Sequence, residues 1–205
     1  MIIFKGKTTK TIEKLCVPDG FIVKTQAKAW MDEELMHVWL EDIWLKHTKL
    51  MSQKLGFENS LLAFDAFSAH KTDEVEAKLV QNKSDILMIP AGCTSKCQPM
   101  DVCINKPFKA NLRKCWVGYV AKMIDEKHDQ IPPPSRQHMV DWVEEAYNAI
   151  SSDIGMVKRS FDVCGITSTD KNKVRNGSFY KSCMENASKH LEDEDDIEGD
   201  DPFIL

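Results

Sequence analysis

LLAFDAFSAHKTDEVEAKLVQNKSDILMIP, residues 61 to 90, holds two short apolar runs separated by a polar, charge-rich segment. Leu61 to Phe64 and Ile86 to Pro90 each read as a strand, and their consecutive apolar residues point to burial on both faces, as in a sheet covered by helices. Between them Lys71 to Gln81 has helical spacing, with Thr72 as N-cap and Val75 and Leu79 turned inward. Strand, helix and strand within about thirty residues make a βαβ unit, so the two strands are expected to be adjacent and parallel. The first strand ends on an acid, Asp65. It is either a turn residue or a ligand at the carboxyl end of a sheet strand.

The bulk properties frame that unit. With 205 residues, 42% hydrophobic and 29% charged, the chain has the balance of a soluble globular protein and the length for a sizeable core. No run approaches the roughly 18 apolar residues of a membrane helix. The apolar stretch in MIIFKGKTTK is too short for a signal peptide, so secretion is not expected and the seven cysteines read as reduced thiols. The net charge of −5 is unevenly spread, because residues 192 to 201, EDEDDIEGDD, carry eight acids and no base. Without those eight, 27 basic residues face 24 acidic ones. Such a block reads as a solvated, unstructured segment, with a partner-binding tail or a polyanion mimic as the functional alternatives.

Outward from the βαβ unit, MIIF (1 to 4) and FIV (21 to 23) read as short strands. Residues 31 to 51 are amphipathic at helical spacing through Leu35, Val38, Trp39, Ile43 and Leu50, with Asp32, Glu33 and Glu34 at the helix N-terminus and Gly56 beyond its end. After the loop AGCTSKCQP a long helix runs to about Glu126. Residues 131 to 134, Ile-Pro-Pro-Pro, form a linker, and Ser135 caps a helix whose Met139, Val143, Ala146 and Ile150 share one face. Little fixed structure is expected after about Ile166. The organisation is thus an α/β core over residues 1–130, a helical extension over 131–166 and a polar, acidic tail over 167–205.

Two acids stand out by placement. Asp65 closes one strand of the unit, and Asp101 lies in QPMD between the other strand and the long helix. Ligands of parallel sheets gather outside the carboxyl ends of the strands. Paired carboxylates there suit a divalent metal for phosphoryl transfer, and would then stand within about 10 Å of each other. Capping is a poor alternative for Asp101, because Pro107 would either start the helix six residues later or kink its second turn. On the long helix, Lys106, Lys109 and Arg113 fall within about 60° of one another, a basic stripe able to track a DNA backbone or simply a solvated face. His70 either orients a water or phosphate or caps and packs. Cys93, Cys97 and Cys103 lack the second spaced pair that a zinc site needs. The five tryptophans read mostly as core.

Several stretches carry a resemblance. FDAFSAHKTDEVEAKL, LMIPAGCTSKCQPMDVCINKPFKANLR, DWVEEAYNAIS and KRSFDVCGI, with IIFKGKT and AKAWMDEELMHVWL upstream, resemble the DDE-type transposase domain of the pogo/Tigger branch of the mariner superfamily over roughly residues 1 to 166. The TSxxQPxDxxINKPFK pattern is the most specific part. The resemblance implies an RNase H-like α/β fold and three acids binding two Mg²⁺ ions for DNA cleavage and strand transfer. Asp65 matches the second acid and Asp101 the third. The family's first acid lies on a strand upstream of IIFKGKT, so that acid, its strand and the preceding helix-turn-helix region are expected to be absent here, leaving an incomplete sheet. The resemblance also implies a nuclear location, where composition alone leaves nuclear or cytoplasmic open, with nonspecific DNA as partner; no membrane and no small-molecule substrate are expected.

Three functions follow as expectations. The chain is a transposase-derived, DNA-associated domain with ancestral Mg²⁺ sites and no independent cleavage. Alternatively, it is an active Mg²⁺-dependent nuclease completed by another chain, by upstream sequence or by Asp19. The third alternative is a protein-interaction module in which DNA plays no part.

Overall fold

The computed structural model describes residues 1–65 and 72–167. Strands β1 (Ile2–Lys5), β2 (Val23–Gln26), β3 (Ser60–Asp65) and β4 (Ser84–Ile89) alternate with helices α1 (Glu33–Trp39), α2 (Lys46–Leu55), α3 (Asp73–Gln81), α4 (Thr94–Cys97), α5 (Asn105–Asp125), α6 (Arg136–Ser151) and α7 (Ile154–Val163). The result is a mixed α/β architecture with two small parallel sheets, β1–β2 and β3–β4.

The βαβ unit forms as its sequence dictates. β3 and β4 pair in parallel from Ser60 opposite Ser84 to Asp65 opposite Ile89. The Thr72 hydroxyl caps α3 by accepting from the Val75 N–H, and Val75 and Leu79 are fully buried. Their partners are Leu62 and Phe64 of β3 with Met36 and Leu40 from the preceding helix, while Ile86 and Met88 of β4 pack against the edge of this core. The expectation of burial on both sheet faces holds only in part. The face carrying Leu61 and Leu87 leaves these side chains 47% and 36% exposed, away from the α1–α3 core on the Leu62–Phe64 side, whereas Ile89 at its carboxyl end is buried.

α1 and α2 are one continuous helical run whose middle, Leu40–Leu45, widens into π-type turns. Asp32 caps its start by accepting from the Leu35 N–H at 3.0 Å. Gly56 ends it in the left-handed conformation, φ +73°, where a side chain would be strained. The wide turns rotate the inward face, so a constant 3.6-residue period misplaces its members. Leu35, Met36 and Leu40 are buried, whereas Leu50, expected inside, is 46% exposed. Trp44, in the wide turns, reaches across to donate to Ser84 Oγ at 3.0 Å.

The second strand begins later than FIV suggests. Pro18-Asp19-Gly20 turns with Gly20 at φ +83°, and its closing bond, Phe21 N–H to Pro18 O, takes Phe21 out of the strand. β2 then runs beside β1, from Val23 opposite Ile2 to Gln26 opposite Lys5. This pair is held from the far end of the chain. The Arg136 guanidinium donates to Lys5 O at 2.8 Å, bonds the Thr11 hydroxyl and lies over the Phe4 ring at 5.3 Å. The Gln137 amide accepts from Cys16 N–H and donates to Cys16 O, at 2.8 and 2.9 Å.

A second packed region gathers around α5, α6, α7 and the turns before α5, where Ile104, Met123, Val140, Ala146, Ile150 and Ser160 are buried. Ser135 caps α6 in a reciprocal capping box with His138. Val140 is buried, while Met139, placed on the inward face from spacing, is largely exposed. Trp116 of α5 and Trp142 of α6 meet edge to face at 6.3 Å, and Tyr119 packs on Trp142 while donating its hydroxyl to Pro132 O at 3.0 Å. Trp116 is nevertheless 42% exposed and Trp30 41%, so these two are not core residues.

Candidate metal centre and nucleic-acid interface

Asp65 is the last residue of β3, half-buried, at the carboxyl edge of the parallel pair. Alternation along the strand puts it on the face of Leu61 and Ala63 rather than on the core face of Leu62 and Phe64. The strand's inward residues thus fix its height, and the end of the ladder leaves its carboxylate at the mouth. Ile89 stands opposite, and the chain leaves β4 there into residues 90–104.

Those residues are ordered by short helical turns. Gly92 turns the chain with φ +73°, Cys93 is fully buried and precedes α4, and the Asp101 and Val102 N–H groups both donate to Gln98 O. Asp101 is therefore not a cap. It lies exposed in the wide turns Met100–Ile104, and its carboxylate accepts a 2.8 Å hydrogen bond from the Asn105 side-chain amide one turn on. The wide turns Met100–Ile104 run into α5 without a break, so Pro107, the third residue of α5, lies inside a continuous helical run just after its widened part. Asn105 escaped the sequence reading. Its signal was the Asp–Asn pair at i and i+4, spaced to meet on a helix.

Lys106, Lys109 and Arg113 are all exposed on α5. None has an ion-pair partner among the described residues. The buried side of the helix runs through Met123 and the half-buried Phe108, Leu112, Cys115 and Tyr119, so the stripe lies off that side. His70 lies outside the described residues. Asp19 sits exposed in its tight turn. Among the described residues no group of three or more His, Cys, Asp or Glu is gathered as a metal site, and this includes the cysteines of residues 93–103.

Residues 1–157 match the DDE superfamily endonuclease model. The chain belongs to this family. Relatives of the DDE superfamily chain include a human "Pogo transposable element with ZNF domain", 27% identical over 200 residues that cover 98% of this chain and 14% of the relative. A mouse and a human "Pogo transposable element with KRAB domain" are each 28% identical over 153 residues, 74% of this chain and 24% of theirs. This chain therefore corresponds to a quarter or less of each of these relatives. No solved structure matches it. Among the described residues no helix is long and apolar enough to cross a membrane.

Proposed function

We propose that this DDE-family chain is an RNase H-like, DNA-associated domain that holds duplex backbone through Lys106, Lys109 and Arg113 and does not cut DNA unaided. The observation that carries it is the adjacency of two features along the chain. The exposed basic stripe, without an ion-pair partner among the described residues, starts five residues after Asp101, the acid of the wide turns. Phosphates drawn to the stripe would lie beside the carboxylates on which a DDE enzyme depends, and sequence-independent affinity comes mainly from such contacts. The pogo relatives favour the same partner and a nuclear location.

Asp65 and Asp101 would hold the divalent ion. Two carboxylates completed by waters suit Mg²⁺, which takes hard oxygen ligands and rarely needs more than one or two from protein. Bound there, such an ion would neutralise phosphate charge and activate an attacking oxygen. Asn105 would aim the Asp101 carboxylate by holding one of its oxygens.

Charge tests the interface. Lys109→Gln should lower the slope of log affinity against log salt by about one, and joint reversal of Lys106, Lys109 and Arg113 to Glu should abolish nonspecific duplex binding. An unchanged salt slope in both variants, measured by fluorescence anisotropy, would leave the stripe an ordinary solvated face and favour the protein-interaction alternative.

A second reading has its own support. The exposed Leu61 and Leu87 leave part of one face of the two-stranded parallel sheet uncovered, and so small a sheet is marginal by itself. Further sequence or a second chain laid against β3 would complete the sheet and could supply another acid. Metal-dependent cleavage that appears only above a threshold protein concentration would favour it.

A further inference from the structure

The basic stripe of α5 does not end at Arg113. Val117, Val120 and Ile124 continue it, so that all six residues lie within about 80° of one another on the helix. Val117 and Ile124 are 62% and 61% exposed. One exposed face of a single helix is thus basic along its first half and apolar along its second. Val117 and Ile124, with the half-buried Val120 between them, form a short apolar row beyond the basic one.

The chain carries a segment with the same order. Residues 192 to 201 hold eight acids and no base, and Pro202, Phe203, Ile204 and Leu205 follow them. Acid then apolar in the segment matches base then apolar on the helix, in the same direction. The tether starts in the right place, because α7, just before Thr167, packs against the turns Met100–Ile104 from which the basic end of α5 emerges. Length is no obstacle. Lys106 to Ile124 spans about 27 Å of helix, and fourteen extended residues, 192 to 205, cover up to about 45 Å.

We infer that residues 192–205 dock along the exposed face of α5, pairing their carboxylates with Lys106, Lys109 and Arg113 and laying Phe203, Ile204 and Leu205 against Val117 and Ile124. The segment is then an intramolecular competitor for the phosphates assigned to the stripe, a consequence that rests on the DNA-binding reading above. A tether of this length supplies a local concentration in the millimolar range, enough for a weak contact to be occupied most of the time.

The full chain decides it in two measurements. Zero-length carbodiimide coupling at high dilution, followed by peptide mapping, is expected to join carboxylates of 192–201 to Lys106 and Lys109 in preference to other lysines. Phe203→Ser with Ile204→Ser and Leu205→Ser should lower that yield several-fold. Coupling spread evenly over the lysines, or confined to Lys171, Lys173, Lys181 and Lys189, overturns the inference. In the second measurement all eight acids become their amides, which is expected to raise nonspecific duplex affinity on the order of three- to tenfold. Coupling to α5 without any change in DNA affinity keeps the docking and removes the DNA-binding reading of the stripe instead.

Discussion

At the scale of single residues, Ser84 shows how a small polar group can organise this fold. It is 2% exposed at the start of β4, accepts from Trp44 Nε1 at 3.0 Å and lies 2.8 Å from the Ser60 hydroxyl. One hydroxyl therefore ties the helical run to both strands of the βαβ unit. Ser84→Ala leaves the indole N–H without its acceptor in a partly buried place, and an unmade hydrogen bond of that kind costs about 1–3 kcal/mol. Urea unfolding followed by tryptophan fluorescence should show a loss in that range. Trp44→Phe in the Ser84→Ala background removes the orphaned donor, so the two changes together should cost less than the sum of each alone. Strict additivity would mean that the bond contributes nothing.

Burial also acts on single groups. The Cys115 thiol, on the inward side of α5, is pushed up by desolvation first and by the neighbouring Glu145 carboxylate second. Only the thiolate alkylates, so Cys115 should react with iodoacetamide more slowly than a free thiol at pH 8 and catch up only as pH rises beyond the ordinary thiol range. Peptide mapping of the labelled chain across pH reads this directly. Equal rates at pH 8 would show that the thiol is not held in its neutral form.

At the scale of elements, backbone conformation decides the sign of a substitution that looks uniform in sequence. A Cβ added at Gly56 or at Gly118 would meet nothing within 4 Å, so neither site is limited by space. Gly56 ends α2 with φ +73°, where an alanine is strained by about 1–2 kcal/mol. Gly118 lies inside α5, where alanine is the better helix former by about 1 kcal/mol. Gly56→Ala should therefore destabilise the protein and Gly118→Ala should stabilise it, in thermal or chemical unfolding. Shifts of the same sign would contradict one of the two assigned conformations.

Elements were also where the sequence was most and least informative. The βαβ unit was legible because its signals are local: two apolar runs, a capping threonine and a helical phase between them. Leu50 was misplaced because the π-type turns at Leu40–Leu45 shift the helical phase, and no single residue announces them. Met139 was misplaced by one position, since α6 turns the neighbouring Val140 inward instead. The pairing of β1 with β2 carries no local signal, and the clasp of Arg136 and Gln137 on Lys5 and Cys16 depends on contacts more than 120 residues apart, as with Gln137 and Cys16 at a separation of 121. Of the candidate site, the end of β3 set the place of Asp65, whereas the setting of Asp101 depended on a loop whose turns and Asn105 bond carry no period to read.

At the scale of the whole molecule, the question is what two acids can do. A two-metal mechanism clamps both the attacking and the leaving oxygen, and needs ligands enough to fix both ions. On the reading proposed above, Asp65 and Asp101 would supply carboxylates for one weakly held ion. Asp19 is poorly suited to complete the set, since it stands on a tight turn rather than at a strand end. Losing one member of a catalytic group costs orders of magnitude in rate, because the members act as a unit. The purified 205-residue chain should therefore show no Mg²⁺- or Mn²⁺-dependent nicking of supercoiled plasmid above that of Asp65→Asn with Asp101→Asn. It should still bind Mn²⁺ more tightly than this double variant in a paramagnetic titration, which separates a metal site from a working nuclease. Nicking by the wild-type chain that the double variant lacks would show that the second ion finds its ligands after all, and the domain would then be an active endonuclease.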